Sequence, residues 1–110
     1  MARTEVAVRA ARHLFYSVLE ELDEAAERDE KETVEDLATL RAALTHVADV
    51  CRDALICMYK LGSSSAIYRG EPLERLFRDG MTLLQHATVS DTVMEAVGRI
   101  RLGMDPGMRL

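Results

Sequence analysis

The chain has no tryptophan, and only five of its 110 residues are aromatic, three Tyr and two Phe. Large rings supply much of the buried area in most cores, so a core here must be built from Leu, Val, Ala and Met. Proline occurs twice and glycine six times. With so few breakers and an abundance of good helix formers such as Ala, Leu, Glu, Arg and Met, an all-helical domain is the expectation. The length leaves room for one such domain. No apolar run approaches the ~18 residues that a membrane-spanning helix needs. The opening Met1–Glu5 is followed by mixed charge rather than an apolar stretch, so no secretory leader is read there. Met1-Ala2-Arg3 reads as an ordinary start, and the cytoplasm is the expected location.

Basic charge is also scarce. Lys and Arg number 14 against 19 Asp and Glu, for a formal net charge of −5. The imbalance is local, because Glu20 to Asp36 holds ten carboxylates against two basic residues, whereas Leu37 to Leu110 holds nine basic against eight acidic. Nothing forms the basic stripe that a nucleic acid backbone requires, so no nucleic-acid partner is expected. The two cysteines, Cys51 and Cys57, stand six apart in a helical pattern, about 120° from each other around the axis. They are read as free thiols in a reducing compartment.

Hydrophobic periodicity places four helices, over residues 4–28, 33–61, 72–86 and 90–102. In the first, Val6, Ala10, Leu14, Val18 and Leu22 recur at four-residue spacing, widened by Ala11, Phe15 and Leu19. Asp29 to Glu32 is the first break. Thr33 is an N-cap candidate with Asp36 three residues on, a weakened capping box because Glu or Gln usually fills the last position. In the second helix Leu37, Leu40, Leu44, Val47, Cys51, Leu55 and Met58 mark one face, and Val50, Ala54, Cys57 and Leu61 a second. That is a rod of about 40 Å, with more apolar surface than one neighbouring helix covers.

Gly62 stops the second helix. Pro72 suits the first turn of the third, where a missing N–H costs nothing, and Leu73, Leu76, Phe77, Met81 and Leu84 form its inner face. Ser90 is the N-cap candidate for the fourth, with Val93, Val97, Ile100 and Leu102 as its apolar set. Gly103 and Pro106 end it, and Met104 to Leu110 is read as tail. The predicted architecture is all-α, an up-and-down four-helix bundle. Long helices with so little aromatic mass make a thin core, which predicts a homo-oligomer, a dimer or tetramer.

No metal site is read in the sequence. His13, His46 and His86 stand far apart, and the Glu-x-x-His motifs of a diiron bundle are missing. His46 and Asp49, three apart, are read as a surface hydrogen-bonded pair. Gly62-Ser63-Ser64-Ser65 lacks a Walker lysine and a preceding strand. Its hydroxyls and N–H groups, with Arg69 nearby, offer a cradle for an anion; a solvated turn is the plainer alternative. Arg75, Arg78 and Asp79 are read as structural ion-pairing groups. His86, where the third helix gives out, has the ordinary chemistry of a general acid or base near neutral pH, although no triad-like order surrounds it.

The segments AIYRGEPLERLFRD, LLQHATVS and AVGRIRLGMDP together resemble one family. The chain is identified as a relative of the C-terminal helical domain of acyl-CoA dehydrogenases. The branch it most resembles is that of the two-component flavin monooxygenases, which include aromatic hydroxylases and a desulfurisation monooxygenase. The similarity runs from about Ala10 to Pro106 and is strongest from Gly62 to Ser90.

That resemblance implies flavin held between a β-domain and this bundle, in tetramers. It implies that Gly62, Ser63, Ser64 and Ser65 lie near flavin and subunit contacts, that Arg69 lies near the flavin, and that His86 stands at the isoalloxazine and helps to deprotonate or orient substrate. Relative to full-length members the chain is truncated. The N-terminal helical domain, the β-domain, the first long helix of the bundle, and the serine and tryptophan that complete the active site have no counterpart in it.

The expectation is therefore a stand-alone or split C-terminal helical domain with an assembly or flavin-site-completing role, inactive by itself. FMN or FAD would bind only with a partner chain, a separate flavin-domain subunit. The alternatives are a non-catalytic oligomeric bundle that has lost cofactor binding, and a component of an FMN- or FAD-dependent oxidoreductase.

Overall fold

The computed structural model describes residues 1–68 and 70–110, with the side chain of Ala66 outside the description. The fold is an all-α four-helix bundle, and the described residues contain no strand. The helices are α1 (Ala2–Glu27), α2 (Val34–Leu61), α3 (Pro72–Leu83) and α4 (Asp91–Arg101), with short 3-10 segments at Ser63–Ile67 and Ala87–Val89. Among the described residues no helix is long and apolar enough to cross a membrane.

Local chemistry sets most of the boundaries. Thr33 and Asp36 form the full capping box: the Asp36 N–H donates to Thr33 Oγ1 (3.1 Å), and the Thr33 N–H donates to Asp36 Oδ2 (2.9 Å). Aspartate thus does the work usually given to glutamate. Pro72 opens α3. Gly103, at φ 72°, ends α4: its N–H donates to the Ile100 carbonyl and the Met104 N–H to that of Arg99, the paired bonds of a Schellman stop. Asp29, at φ 56°, ends α1 through the same pair of bonds, its N–H to Ala26 and the Glu30 N–H to Ala25. The break after α1 is thus a defined stop built on a short polar side chain that tolerates the left-handed region.

Gly62 caps α2 as expected, in a right-handed conformation, and the positive φ of that turn falls on Ser63. Two expectations change. Ser90 occupies the N-cap position of α4, but its hydroxyl caps no N–H; it bonds the Ala87 carbonyl (2.9 Å) and pairs with Thr92 Oγ1. The segment after Gly103 is not loose tail. The Arg99 guanidinium donates to the Asp105 carbonyl (2.9 Å), and Leu110 packs on the core.

The helix α2 is the hub, and α1, α3 and α4 all pack on it. The pairings run antiparallel. Thr4 meets Cys57, Tyr59 stacks on Phe77, and Arg101 reaches Glu35 and Thr39. Consequently α3 lies along the C-terminal half of α2 and α4 along its N-terminal half, with residues 84–90 forming the joint between them.

The buried apolar cluster lies between α2 and α4, where Ala38, Val93, Val97 and Ile100 are buried, with Ala42 and Leu110 against them. The fully buried positions of α2 are Ala38, Ala43, Thr45 and Ala48 rather than its leucines. Small residues let the helix axes close, and the leucines on either side are pushed into flanking grooves. Thr45 tolerates burial because its hydroxyl donates to the Arg41 carbonyl (3.0 Å).

The predicted stripe on α1 also shifts. Val6 and Leu14 are exposed, and the covered residues are Thr4, Ala11, Phe15, Val18, Leu19, Leu22 and Ala25, of which Ala11, Phe15, Val18, Leu19 and Leu22 belong to the predicted set. Four-residue steps drift about 40° each around a helix, whereas alternating steps of three and four stay on one line. On α3, Leu76 faces solvent and no residue is fully buried; on α4, Leu102 is exposed at the helix end.

Candidate functional site

Where α3 gives way to α4, the chain has left the α-helix before it reaches His86. α3 ends at Leu83, three residues short of its predicted limit, and His86 becomes the N-cap of the 3-10 turn Ala87–Val89. The Thr88 N–H donates to His86 Nδ1 (3.3 Å), and the Thr88 hydroxyl lies 2.7 Å from the same nitrogen. A backbone N–H can only donate, so Nδ1 is the acceptor and the ring carries its proton on Nε2. That leaves one N–H donor free of the turn.

His86, itself exposed, borders an apolar groove of about 520 Å³ between α2 and α3. Leu44, Val47 and Leu55 line it from α2, and Leu83, Leu84 and Val89 from the other side. Apart from His86, only Thr88 and Cys51 bring polar atoms to the lining, and Cys51 is a half-buried free thiol. Gly80 lets α3 lie close to α2 beside this groove: a Cβ at this position would stand 2.5 Å from Leu55 Cδ1. A mostly apolar concavity with one oriented polar group is the usual form of a small-ligand site.

The other predicted site residues do not gather here. Gly62 and the exposed Ser63, Ser64 and Ser65 lie at the opposite end of α3 from His86, about 18 Å away along its twelve residues. The Ser65 hydroxyl is engaged with the Gly62 carbonyl (2.7 Å). Arg69 lies outside the described residues.

Elsewhere, Asp49 pairs with Arg52 (2.6 Å) instead of His46, which is exposed. Arg75 faces Asp79 at 3.6 Å, both exposed. Cys57 is a free thiol that accepts the Thr4 hydroxyl at 3.3 Å. Among the described residues, no three His, Cys, Asp or Glu side chains come together as a metal-holding group. Thr88 does not stand out in the sequence as the partner of His86, because an i, i+2 polar pair before a helix is too common to be a signal.

The family profile "Acyl-CoA dehydrogenase, C-terminal domain" matches residues 1–91. The chain belongs to this family. Its similarity to curated proteins points to the oxygenating branch that the sequence motifs suggested. It is 28% identical over 105 residues to the indole-3-acetate monooxygenase of Acinetobacter baumannii, covering 96% of this chain and 27% of that protein. It is 29% identical over 106 residues to the enzyme of the same name from Pseudomonas putida, again covering 96% and 27%. A pigment production hydroxylase of a Rhodococcus species is 30% identical over 105 residues, covering 94% of this chain and 27% of its own length. The chain spans about a quarter of the length of the curated relatives it matches.

Proposed function

We propose that this chain is the helical part of a flavin-dependent monooxygenase-type enzyme and closes one wall of the flavin and substrate site. The observation that carries the reading is His86, its Nδ1 engaged by Thr88, at the edge of an apolar groove, in a family whose matched relatives are named monooxygenases and a hydroxylase.

An aromatic ring with an acceptor oxygen suits such a groove: the ring lies against Leu44, Val47 and Leu55, and the oxygen takes the imidazole N–H. The groove therefore fits an edge of the flavin ring or an aromatic substrate. Flavin, when bound, supplies the redox chemistry. This chain contributes an apolar wall that excludes water and a fixed donor at Nε2. His86 acts first as a hydrogen-bond donor that orients an oxygen; serving as a base at Nε2 would require the proton to move to Nδ1, at the expense of the Thr88 N–H bond. The Gly62–Ser65 turn, with Arg69, would meet phosphate or a neighbouring subunit at the other end of α3, and the rest of the site comes from a flavin-bearing partner. The chain alone is inactive in this reading, and it assembles as a homo-oligomer.

Titration of FMN and FAD by fluorescence tests this, first with the chain alone and then with a flavin-bearing β-domain subunit co-expressed. The expected result is flavin binding by the reconstituted complex that weakens on His86→Ala. No flavin binding in either setting overturns the proposal. Self-association that persists without flavin binding selects the second reading, a cofactor-free oligomeric bundle, which the extended shape of the chain favours.

A further inference from the structure

Arg41 places a cation on the inward line of α2. It stands three residues after Ala38 and four before Thr45, both 0% exposed, and residues at that spacing share one side of a helix. Arg41 is itself half-buried. A charge so placed ordinarily meets its opposite, because taking an ion out of water is costly. Arg41 meets none. Among the described residues the arginines within ion-pair distance of a carboxylate are Arg28, Arg52, Arg75, Arg99 and Arg101. The guanidinium hydrogen bonds belong to Arg28, Arg52, Arg99 and Arg101.

A second guanidinium reaches the same place from the C-terminal segment. Arg41 and Arg109 both line a hollow of about 200 Å³, closed by Thr88, Val93, Met108 and Leu110. Arg109 likewise has no ion pair among the described residues. No acidic residue lines the hollow. Of the acids closest in sequence, Asp105 accepts the Gly107 N–H (2.9 Å) and Asp91 is exposed in the first turn of α4. Two like charges on one small cavity repel each other until an anion lies between them.

Size and charge select the occupant. The hollow falls below the roughly 300–1,000 Å³ of pockets for organic ligands, so it suits a small ion or a single charged group. Each guanidinium is a planar fork that matches two oxygens of an oxyanion. Two forks with two positive charges match a phosphate, which carries about −1.5 to −2 at neutral pH. The Thr88 hydroxyl is engaged with His86 Nδ1, which leaves the grip to the arginines.

We propose that this hollow is an oxyanion site that holds phosphate, as the free ion or as a monoester group, between Arg41 of α2 and Arg109. Bound there, the anion ties the C-terminal segment to α2 and stands behind Thr88, the residue that sets the His86 ring. The site goes beyond the proposed function. It shares only Thr88 with the apolar groove, and its test needs no flavin.

The test is NMR titration of the isotope-labelled 110-residue chain with inorganic phosphate, with methyl phosphate, and with sodium chloride at matched ionic strength. Phosphate should give saturable shifts at Thr88, at Arg109 and at the Arg41 side-chain N–H, and chloride should not. Saturation by both phosphates assigns a phosphate group, and saturation by inorganic phosphate alone assigns the free ion. Arg41→Gln and Arg109→Gln should each weaken binding about tenfold or more, whereas Arg41→Lys, which keeps the charge and loses the fork, should recover part of it. Arg109→Gln changes an exposed residue, so it decides the matter if Arg41→Gln folds poorly. Shifts that grow linearly with any salt, or saturable binding indifferent to Arg109→Gln, overturn the proposal.

Discussion

His86 Nδ1 receives the backbone N–H of Thr88 at 3.3 Å and lies 2.7 Å from the same residue's hydroxyl. Two contacts to one ring nitrogen fix both the tilt and the tautomer of the imidazole. In long-range proton–nitrogen NMR spectra, the neutral His86 ring should show protonated Nε2 and unprotonated Nδ1. Thr88→Val keeps the N–H contact and removes the hydroxyl. The ring should then become more mobile while keeping the same tautomer, with helix content unchanged. An identical spectrum would show that the hydroxyl does not position the ring.

The Thr33–Asp36 box makes stability pH-dependent in a definite direction. The Thr33 hydroxyl (2.7 Å), and after it the Thr33 N–H, hold the Asp36 carboxyl below the ordinary aspartate range. Glu30 is likewise held low by Arg28. A lowered carboxylate stabilises the fold above its unfolded pKa, and this contribution fades as pH falls from about 4 through the lower folded value. Asp36→Asn should flatten the acid limb of the stability profile measured by urea unfolding.

Two glycines of one helix should respond oppositely to alanine. Gly98 lies within α4 with ordinary backbone angles and open space where a Cβ would go, so Gly98→Ala should stabilise by about 0.5–1 kcal/mol. Gly103, at φ 72°, holds the Schellman stop, and Gly103→Ala should cost about 1 kcal/mol. Thermal or urea unfolding of both variants checks the pair.

The α2–α4 contact should be the most sensitive in the molecule to loss of volume. Val93 is 2% exposed and packs with Ala38, Val97 and Ile100. Val93→Ala should cost about 2 kcal/mol, the lost burial together with an imperfectly collapsed gap. The same truncation at exposed Val6 should change stability by less than ~0.5 kcal/mol.

Helix number, order and most boundaries were legible because they depend on local signals: Thr33 and Asp36, Pro72 and Gly103 each act through their immediate neighbours. What lay outside the sequence pattern was which apolar residues meet. α2 buries Ala38, Ala43 and Ala48 while its leucines stay half-exposed, because approach distance between axes is a tertiary property that periodicity does not encode. The stripe on α1 held at Ala11, Phe15, Val18, Leu19 and Leu22 and failed at Val6, Ala10 and Leu14, which are apolar but lie off the seam that the partner helix selects. In the candidate site, His86 could be singled out from sequence, yet the stop of α3 three residues before it, its pairing with Thr88 and its distance from Gly62–Ser65 depend on how residues 84–90 turn.

Because α2 is the only substantial neighbour of α1 among the described residues, α1 is the element that can peel away at least expense to the remainder. In native-state hydrogen exchange its amides should open at a lower free energy than those of Ala38 to Ala48. Burial of that flank in an assembly would raise their protection, so the N-terminal helix would report on assembly through its own breathing.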